Sequence, residues 1–202
     1  MKEAEFLDFT EAKNGKVVDN KGKVLITCLD KSGSMSGRPF EAVKIGALKI
    51  GEALWAGAEK PFERVITLLY DNNIETNESA THDQYKNYVN SLKTRGSTDF
   101  KKVLNWLDDF VDKTKDLKEV TIIFFTDGQD TCNGKDKVDQ ALEQLKFVFE
   151  NMKISLVTRF LTIGFSASHD APFMNRIALA GSQIGNFFYI DTSKPDYSAD
   201  VQ

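Results

Sequence analysis

Short apolar runs alternate with amphipathic stretches along this chain of 202 residues, and this alternation strongly limits its fold. The run at 120–126 is almost continuously apolar, β-branched or aromatic, which is typical of a strand buried on both faces by helices. Similar runs lie at about 24–29, 64–70, 156–163 and 187–190. Strands separated by helices form parallel βαβ units with right-handed crossovers. The sequence therefore predicts an α/β fold.

One further strand is predicted to run antiparallel. The tripeptide Asp71-Asn72-Asn73 is a turn signal, and it joins the run at 64–70 to a short piece at 74–76, as in an edge hairpin. The sheet then has six strands. We predict a lead-in segment at 1–23, one domain at 24–190 and a tail at 191–202.

Charge and cysteine content exclude several classes of function. The net charge is −4 and the pI is about 5.3, so the basic footprint of a nucleic-acid-binding protein is missing. No apolar run is long enough for membrane insertion. Two cysteines are too few for a disulfide framework, and the first residues are too acidic for a signal peptide. We therefore expect an intracellular, cytoplasmic protein.

The most informative polar residues follow the first apolar run. Asp30, Ser32 and Ser34 stand at alternate positions directly after it, in a loop rich in Ser and Gly. In open α/β sheets, ligands bind at the carboxyl ends of the strands. Hard oxygen donors suit Mg²⁺, whereas a Zn²⁺ site would favour His or Cys. The loop is thus a candidate magnesium site.

Asp-x-Ser-x-Ser after a strand resembles the metal-ion-dependent adhesion site of von Willebrand factor type A (VWA) domains. The family builds this site from three loops, and the other two have matching stretches here. Thr98 in Gly96-Ser97-Thr98-Asp99 matches the family threonine, and Asp127 in Thr126-Asp127-Gly128 matches the family aspartate. The order of elements also matches that of a VWA domain, a Rossmann-like, doubly wound, mostly parallel sheet with helices on both faces.

The resemblance implies a function for these five residues. Ser32 and Ser34 would bind the cation directly, Thr98 directly or through water, and Asp30 and Asp127 mostly through water. The cation would be Mg²⁺, with Mn²⁺ or Ca²⁺ as alternatives. Its open position would accept an Asp or Glu of a partner protein. The resemblance therefore implies a divalent-cation-dependent protein-binding module and not an enzyme.

Two alternatives stay open. The chain could be a structural segment of a larger multidomain protein, with a vestigial or purely structural metal site, because Ser/Gly turns after strands are common helix starts. A Mg²⁺-dependent enzyme is the other, although the chain has neither a Walker lysine nor a Gly-x-Gly-x-x-Gly motif. The helix that usually ends a VWA domain is not predicted, since 191–202 lack apolar periodicity. Either it is missing, or the chain is a piece of a longer one.

The charged residues near the motif have simpler interpretations. Lys31 and Arg38 are expected to be solvated charges at the rim, with attraction of an acidic partner as the alternative. Asp99 is predicted to cap a helix that carries Val103, Leu104 and Leu107. Asp130 is predicted to be a solvated loop residue.

Overall fold

A six-stranded sheet lies at the centre of the computed structural model, which describes residues 19–57, 60–126, 130–151, 157–165, 170–180 and 184–194. The order across the sheet is β3-β2-β1-β4-β5-β6, and only the β2–β3 pair is antiparallel. This confirms the predicted α/β class and the edge hairpin. The strands are β1 Lys23–Asp30, β2 Arg64–Tyr70, β3 Ile74–Glu78, β4 Glu119–Thr126, β5 Val157–Phe165 and β6 Ile184–Ile190.

Within the described ranges, five helices cover the two faces of the sheet, and local signals explain where several of them begin. Pro39 lies in the first turn of α1, where its missing N–H has no helical partner to lose. The side chains of Asp99 and Asp170 accept hydrogen bonds from the first-turn amides of α3 and α5, as predicted for Asp99. The helices are α1 Arg38–Leu54, α2 His82–Ser91, α3 Phe100–Lys113, α4 Lys135–Asn151 and α5 Ala171–Leu179.

The side chains of the strands alternate between two apolar layers. On one face, Ile26 and Cys28 of β1 pack with α3, α4 and α5, and on the other, Leu25 and Leu29 pack with α1 and α2. Burial on both faces explains why the central strands are apolar almost throughout. β1 lies between β2 and β4, and the registers pair Asp30 with Tyr70 and Leu29 with Phe125. The carboxyl end of β1 is therefore enclosed by two neighbouring strands.

Most of the predicted lead-in and tail lies outside the described residues, so both segments stay predictions. None of the described helices is long and apolar enough to cross a membrane.

Candidate metal-binding site

Three loops meet at the carboxyl end of the sheet. The first loop is 31–37 after β1, the second loop is 92–99 before α3, and the third loop is 127–134 after β4, of which the structure describes 130–134. Asp127 therefore lies outside the described residues. The other four predicted ligands, Asp30, Ser32, Ser34 and Thr98, belong to the described part of this edge.

Asp30 holds the start of the first loop. Its side chain is fully buried; one oxygen accepts the Ser32 backbone N–H at 2.8 Å, and the other accepts the Thr126 hydroxyl at 2.7 Å. Sequence reasoning missed the role of Thr126, although its position at the end of β4, the strand paired with β1, was the available signal. Asp30 thus links β1 to its neighbour.

The two serine hydroxyls lie side by side. Ser32 Oγ and Ser34 Oγ are 3.0 Å apart, with Ser32 buried and Ser34 exposed. A short 3-10 turn, Gly33–Met35, produces this approach, and the buried Met35 side chain anchors it. Adjacent oxygens around an octahedral Mg²⁺ ion, each about 2.05 Å from it, are about 2.9 Å apart. The spacing of the two hydroxyls therefore fits a cation of this kind.

The second loop contacts the first through the main chain. The Arg95 N–H donates to the Lys31 carbonyl at 2.6 Å, and the Gly33 N–H donates to the Gly96 carbonyl at 2.9 Å. Thr98 follows two residues later and is 2% exposed. The structure thus brings the loops of Ser32 and Thr98 together, as predicted.

The described part of the third loop is bonded to the second on both sides of Thr98. The Thr98 N–H donates to Thr131 Oγ1 at 2.9 Å, and the Thr98 carbonyl accepts the Thr131 N–H at 2.9 Å. Asp130 accepts the Phe100 N–H at 2.7 Å, and Asn133 Nδ2 donates to Asp99 at 2.8 Å. The prediction that Asp130 is a solvated loop residue is therefore wrong, because its carboxylate holds the start of α3.

Lys31 is the largest departure from the sequence analysis. It is 3% exposed, and its Nζ lies 2.7 Å from Glu75 and 3.4 Å from Asp71, which is itself 1% exposed. Arg95 contacts the same two carboxylates. The prediction of a solvated rim charge is wrong for Lys31, since Asp71 in the turn before β3 and Glu75 in β3 are its acidic partners. Arg38, by contrast, is exposed, and its guanidinium donates to the Ser193 carbonyl.

The four charged residues Lys31, Arg95, Asp71 and Glu75 change the pKa of Glu75 and hold neighbouring segments together. The hydrogen bond from Lys31, with the nearby charges of Lys31 and Arg95, lowers the pKa of Glu75 below its usual value. Asp71 also accepts the Asp99 N–H at its carbonyl, at 3.1 Å. The ion pairs therefore join the first loop, the hairpin turn and the second loop.

Gly96 is required for the second loop to approach the hairpin. Its φ is +75°, and a Cβ there would lie 2.5 Å from Asn72 Oδ1 and 3.1 Å from the Asp71 side chain. We expect Gly96→Ala to lower the free energy of unfolding by about 1–3 kcal/mol, measured by urea denaturation. Gly134→Ala is the matched control, because a Cβ at Gly134 meets nothing within 4 Å. Equal stabilities of the two variants would contradict this account of Gly96.

Neither cysteine adds a reactive group to the site. Cys28 is fully buried in β1, and burial raises the pKa of its thiol far above the usual value. Cys132, on the third loop, is exposed, and its pKa is raised by partial burial and by the charges of Asp99 and Asp130. Within the described residues, no three His, Cys, Asp or Glu side chains are grouped so that they could hold a metal ion. Hydroxyl oxygens thus make up most of the candidate donor set here.

A family model of the von Willebrand factor type A domain matches residues 25–199. The chain belongs to this family. None of the curated proteins matches the chain in sequence.

Solved structures of VWA domains share its fold at low sequence identity. A VWA protein from Catenulispora acidiphila has a TM-score of 0.66 and 16% identity over 89% of this chain and 42% of its own. Proximal thread matrix protein 1 from the mussel byssus is described with a zinc-occupied MIDAS motif. It has a TM-score of 0.62 and 16% identity over 92% of this chain and 46% of its own. The chain thus spans less than half the length of these two proteins.

A third similar structure is the manganese-loaded TRAP protein of Plasmodium vivax. Its TM-score is 0.56 and its identity is 17%, over 91% of this chain and 73% of that one. Two of these VWA structures are therefore described with a divalent metal, zinc in one and manganese in the other.

Proposed function

We propose that this VWA domain is a divalent-cation-dependent protein-binding module. Ser32, Ser34 and Thr98 would hold the cation, and Asp30 and Asp127 would orient the hydroxyls and the waters around it. The observation that carries the proposal is the 3.0 Å separation of Ser32 Oγ and Ser34 Oγ, which suits adjacent ligands of an octahedral ion. Membership of the family and the metals of two similar structures support it.

The chemistry of the donors favours Mg²⁺ as the resident ion. Neutral hydroxyls are hard oxygen ligands, and Mg²⁺ keeps several waters and accepts few protein ligands. Mn²⁺ accepts the same ligand types and is therefore a suitable spectroscopic substitute, and Ca²⁺ is an alternative. The bound ion supplies an electrophilic position that a carboxylate can occupy. With most of the direct ligands neutral, that position retains its attraction for an anion.

The partner is proposed to be a protein that presents an Asp or Glu to the ion. Lys31 does not take part in this recognition, because Asp71 and Glu75 already balance its charge. Arg38, directly after the first loop, is exposed and could meet a partner, whereas Arg95 is exposed but already contacts Asp71 and Glu75. Each exposed pair with a partner carboxylate would contribute up to about 1 kcal/mol. The metal, and not these cations, is therefore the main anchor.

A capture experiment tests the proposal. The immobilised chain is exposed to lysate of the source cell in Mg²⁺, in EDTA, and as the Ser34→Ala variant in Mg²⁺. Ser34 is exposed, so removing its hydroxyl should leave the fold intact. Ser36→Ala is the matched control, because Ser36 is an exposed serine of the same loop. In Mg²⁺, we expect partners to bind to the parent chain and to Ser36→Ala. We expect no binding to the parent chain in EDTA and none to Ser34→Ala in Mg²⁺.

Two other outcomes would replace the proposal. Partners that bind equally in all conditions would indicate that the domain binds elsewhere and that its metal site is vestigial. The chain would then be a structural segment of a larger protein. This alternative is consistent with the first two similar structures, because the chain covers only 42% and 46% of their lengths. Turnover of a phosphoester above a metal-only blank would indicate an enzyme.

We also propose that the protein functions inside the cell, in the cytoplasm. The two cysteines are free thiols, one of them exposed, which suits a reducing compartment. Fractionation of the source cell, followed by detection with an antibody, tests this. Recovery from the medium or the cell surface would contradict it.

A further inference from the structure

A pocket of about 220 Å³ opens beside the proposed metal site. Its apolar floor consists of Phe100, Val138 and Phe173, all at least nine-tenths buried. Phe100 follows Thr98 by two residues, a distance of at most about 7 Å along the chain. A partner bound at the metal site would therefore pass close to this pocket.

The pocket carries an excess of negative charge. Asp130, Asp139 and Asp170 line it, and Lys135 is the only cation among the lining residues that the structure describes. Asp139 is paired with Arg176 at 2.7 Å, whereas no described Lys or Arg lies within ion-pair distance of Asp130 or Asp170. Backbone N–H groups donate to both of these carboxylates. Two negative charges therefore face the pocket without a cationic partner among the described residues.

The aromatic floor suits the same ligand chemistry. Phe100 and Phe173 are stacked, with ring centroids 5.6 Å apart. The guanidinium of Arg176 lies 6.0 Å from the Phe173 centroid while it pairs with Asp139. This edge of the molecule thus already contains one guanidinium held by an aromatic face and a carboxylate, as in cation–π recognition.

We propose that the pocket binds a basic side chain, Arg or Lys, of the protein partner whose carboxylate reaches the metal. The charged end would pair with Asp130 and Asp170, and the aliphatic stem would lie against Phe173, since Phe100 beneath it is only 1% exposed. The partner's identity as the metal-site ligand rests on the proposed function. The chemistry of the pocket does not, because its carboxylates and rings are in place without the ion.

The N-termini of α3, α4 and α5 lie at this edge and could instead favour an anion. For α3 and α5, the hydrogen bonds show why they do not. The Phe100 N–H at the start of α3 donates to Asp130, and the Phe173 N–H in the first turn of α5 donates to Asp170. The positive ends of these two helices are therefore already neutralised by carboxylates. The net charge of the described lining residues is negative, since they include three Asp and one Lys.

The test is a backbone amide NMR titration of the full chain in EDTA with Nα-acetyl-arginine methylamide. Saturable shifts at Asn133, Val138 and Phe173 are expected, with a dissociation constant of about 1 mM, as for one small cation in a shallow site. The norleucine and glutamate analogues separate apolar filling and anion binding from cation binding. Equal binding of either analogue, or the absence of saturable shifts, would overturn the proposal.

Asp170→Asn provides the matched variant, because Asn caps helices as well as Asp does and only the charge is lost. It should weaken arginine binding about fivefold, the upper range for one exposed ion pair. Asp109→Asn, on the exposed surface of α3, is the control and should leave binding unchanged. Unchanged binding in Asp170→Asn would exclude the role of this carboxylate.

A separate NMR sample with Mn²⁺ tests the metal site independently of the pocket. Mn²⁺ should broaden the amide signals of Gly33–Met35, and a lack of broadening would count against the proposed function without altering the result of the arginine titration. Capture of a Mg²⁺-dependent partner should also fall in Asp170→Asn. Full capture by that variant would show that the basic side chain does not come from this partner.

Discussion

Asp30→Asn should lower the affinity of this VWA domain for Mn²⁺ by about 10- to 100-fold, the range for groups that orient metal ligands. The physical reason is that Asp30 accepts both the Ser32 N–H and the Thr126 hydroxyl, and so fixes the first loop against β4. An amide is close in shape, yet it carries no charge and has only one acceptor oxygen. Paramagnetic relaxation of water protons during a Mn²⁺ titration measures the affinity.

The fold of the variant is checked by its urea denaturation midpoint. Asp109→Asn is the matched control, since Asp109 is an exposed residue of α3 whose ion pair with Lys113 is at the surface. It should bind Mn²⁺ like the parent chain. Unchanged affinity in a folded Asp30→Asn variant would remove Asp30 from the site.

Asp71→Ala should lower the free energy of unfolding by about 3 kcal/mol, because it removes the buried one of the two carboxylates that balance the buried charge of Lys31. Asp71 is 1% exposed and Lys31 is 3% exposed, with their charged atoms 3.4 Å apart. Glu75 would still contact Lys31 from the exposed side, and for this reason we expect the lower end of the range measured for such pairs. Urea denaturation provides the measurement.

The double variant Asp71→Ala, Lys31→Met separates charge from packing. Removing both charges should restore part of the stability lost in Asp71→Ala, because Met fills the space of the Lys stem without a charge. If the double variant is less stable by the sum of the two single changes, the two residues do not interact energetically. The loss would then come from packing alone.

The fold could be predicted because its strongest signals are local and repeated. The apolar run at 120–126 corresponds to β4, Glu119–Thr126. The turn that begins at Asp71 leads into β3, which pairs antiparallel with β2 as predicted. Asp99 caps α3, because a carboxylate directly before a helix can accept a hydrogen bond from a first-turn backbone N–H. These predictions depend only on neighbours in the sequence.

The environments of Lys31 and Asp130 could not be predicted in this way. Lys31 meets Glu75, 44 residues later, and Asp130 meets Phe100, 30 residues earlier. Such contacts depend on how the loops at the end of the sheet come together, and no local pattern encodes them. The pocket is a further example, since its lining residues come from α3, the third loop, α4 and the start of α5. In the candidate site, the oxygen donors could be predicted from the motif. The ion pairs and the contacts between loops that hold these donors in place could not.

The bonds between the three loops have a consequence for variation. Arg95 to Lys31, Gly33 to Gly96 and Thr131 to Thr98 are contacts between main-chain atoms, so apart from the glycine required at position 96 they do not depend on particular side chains. Exposed side chains of these loops, such as Lys93 and Ser97, can therefore be exchanged while the framework is kept. Related domains could acquire different partners by changing such side chains alone. For a designer, these are the positions at which to begin a library of new binding specificities.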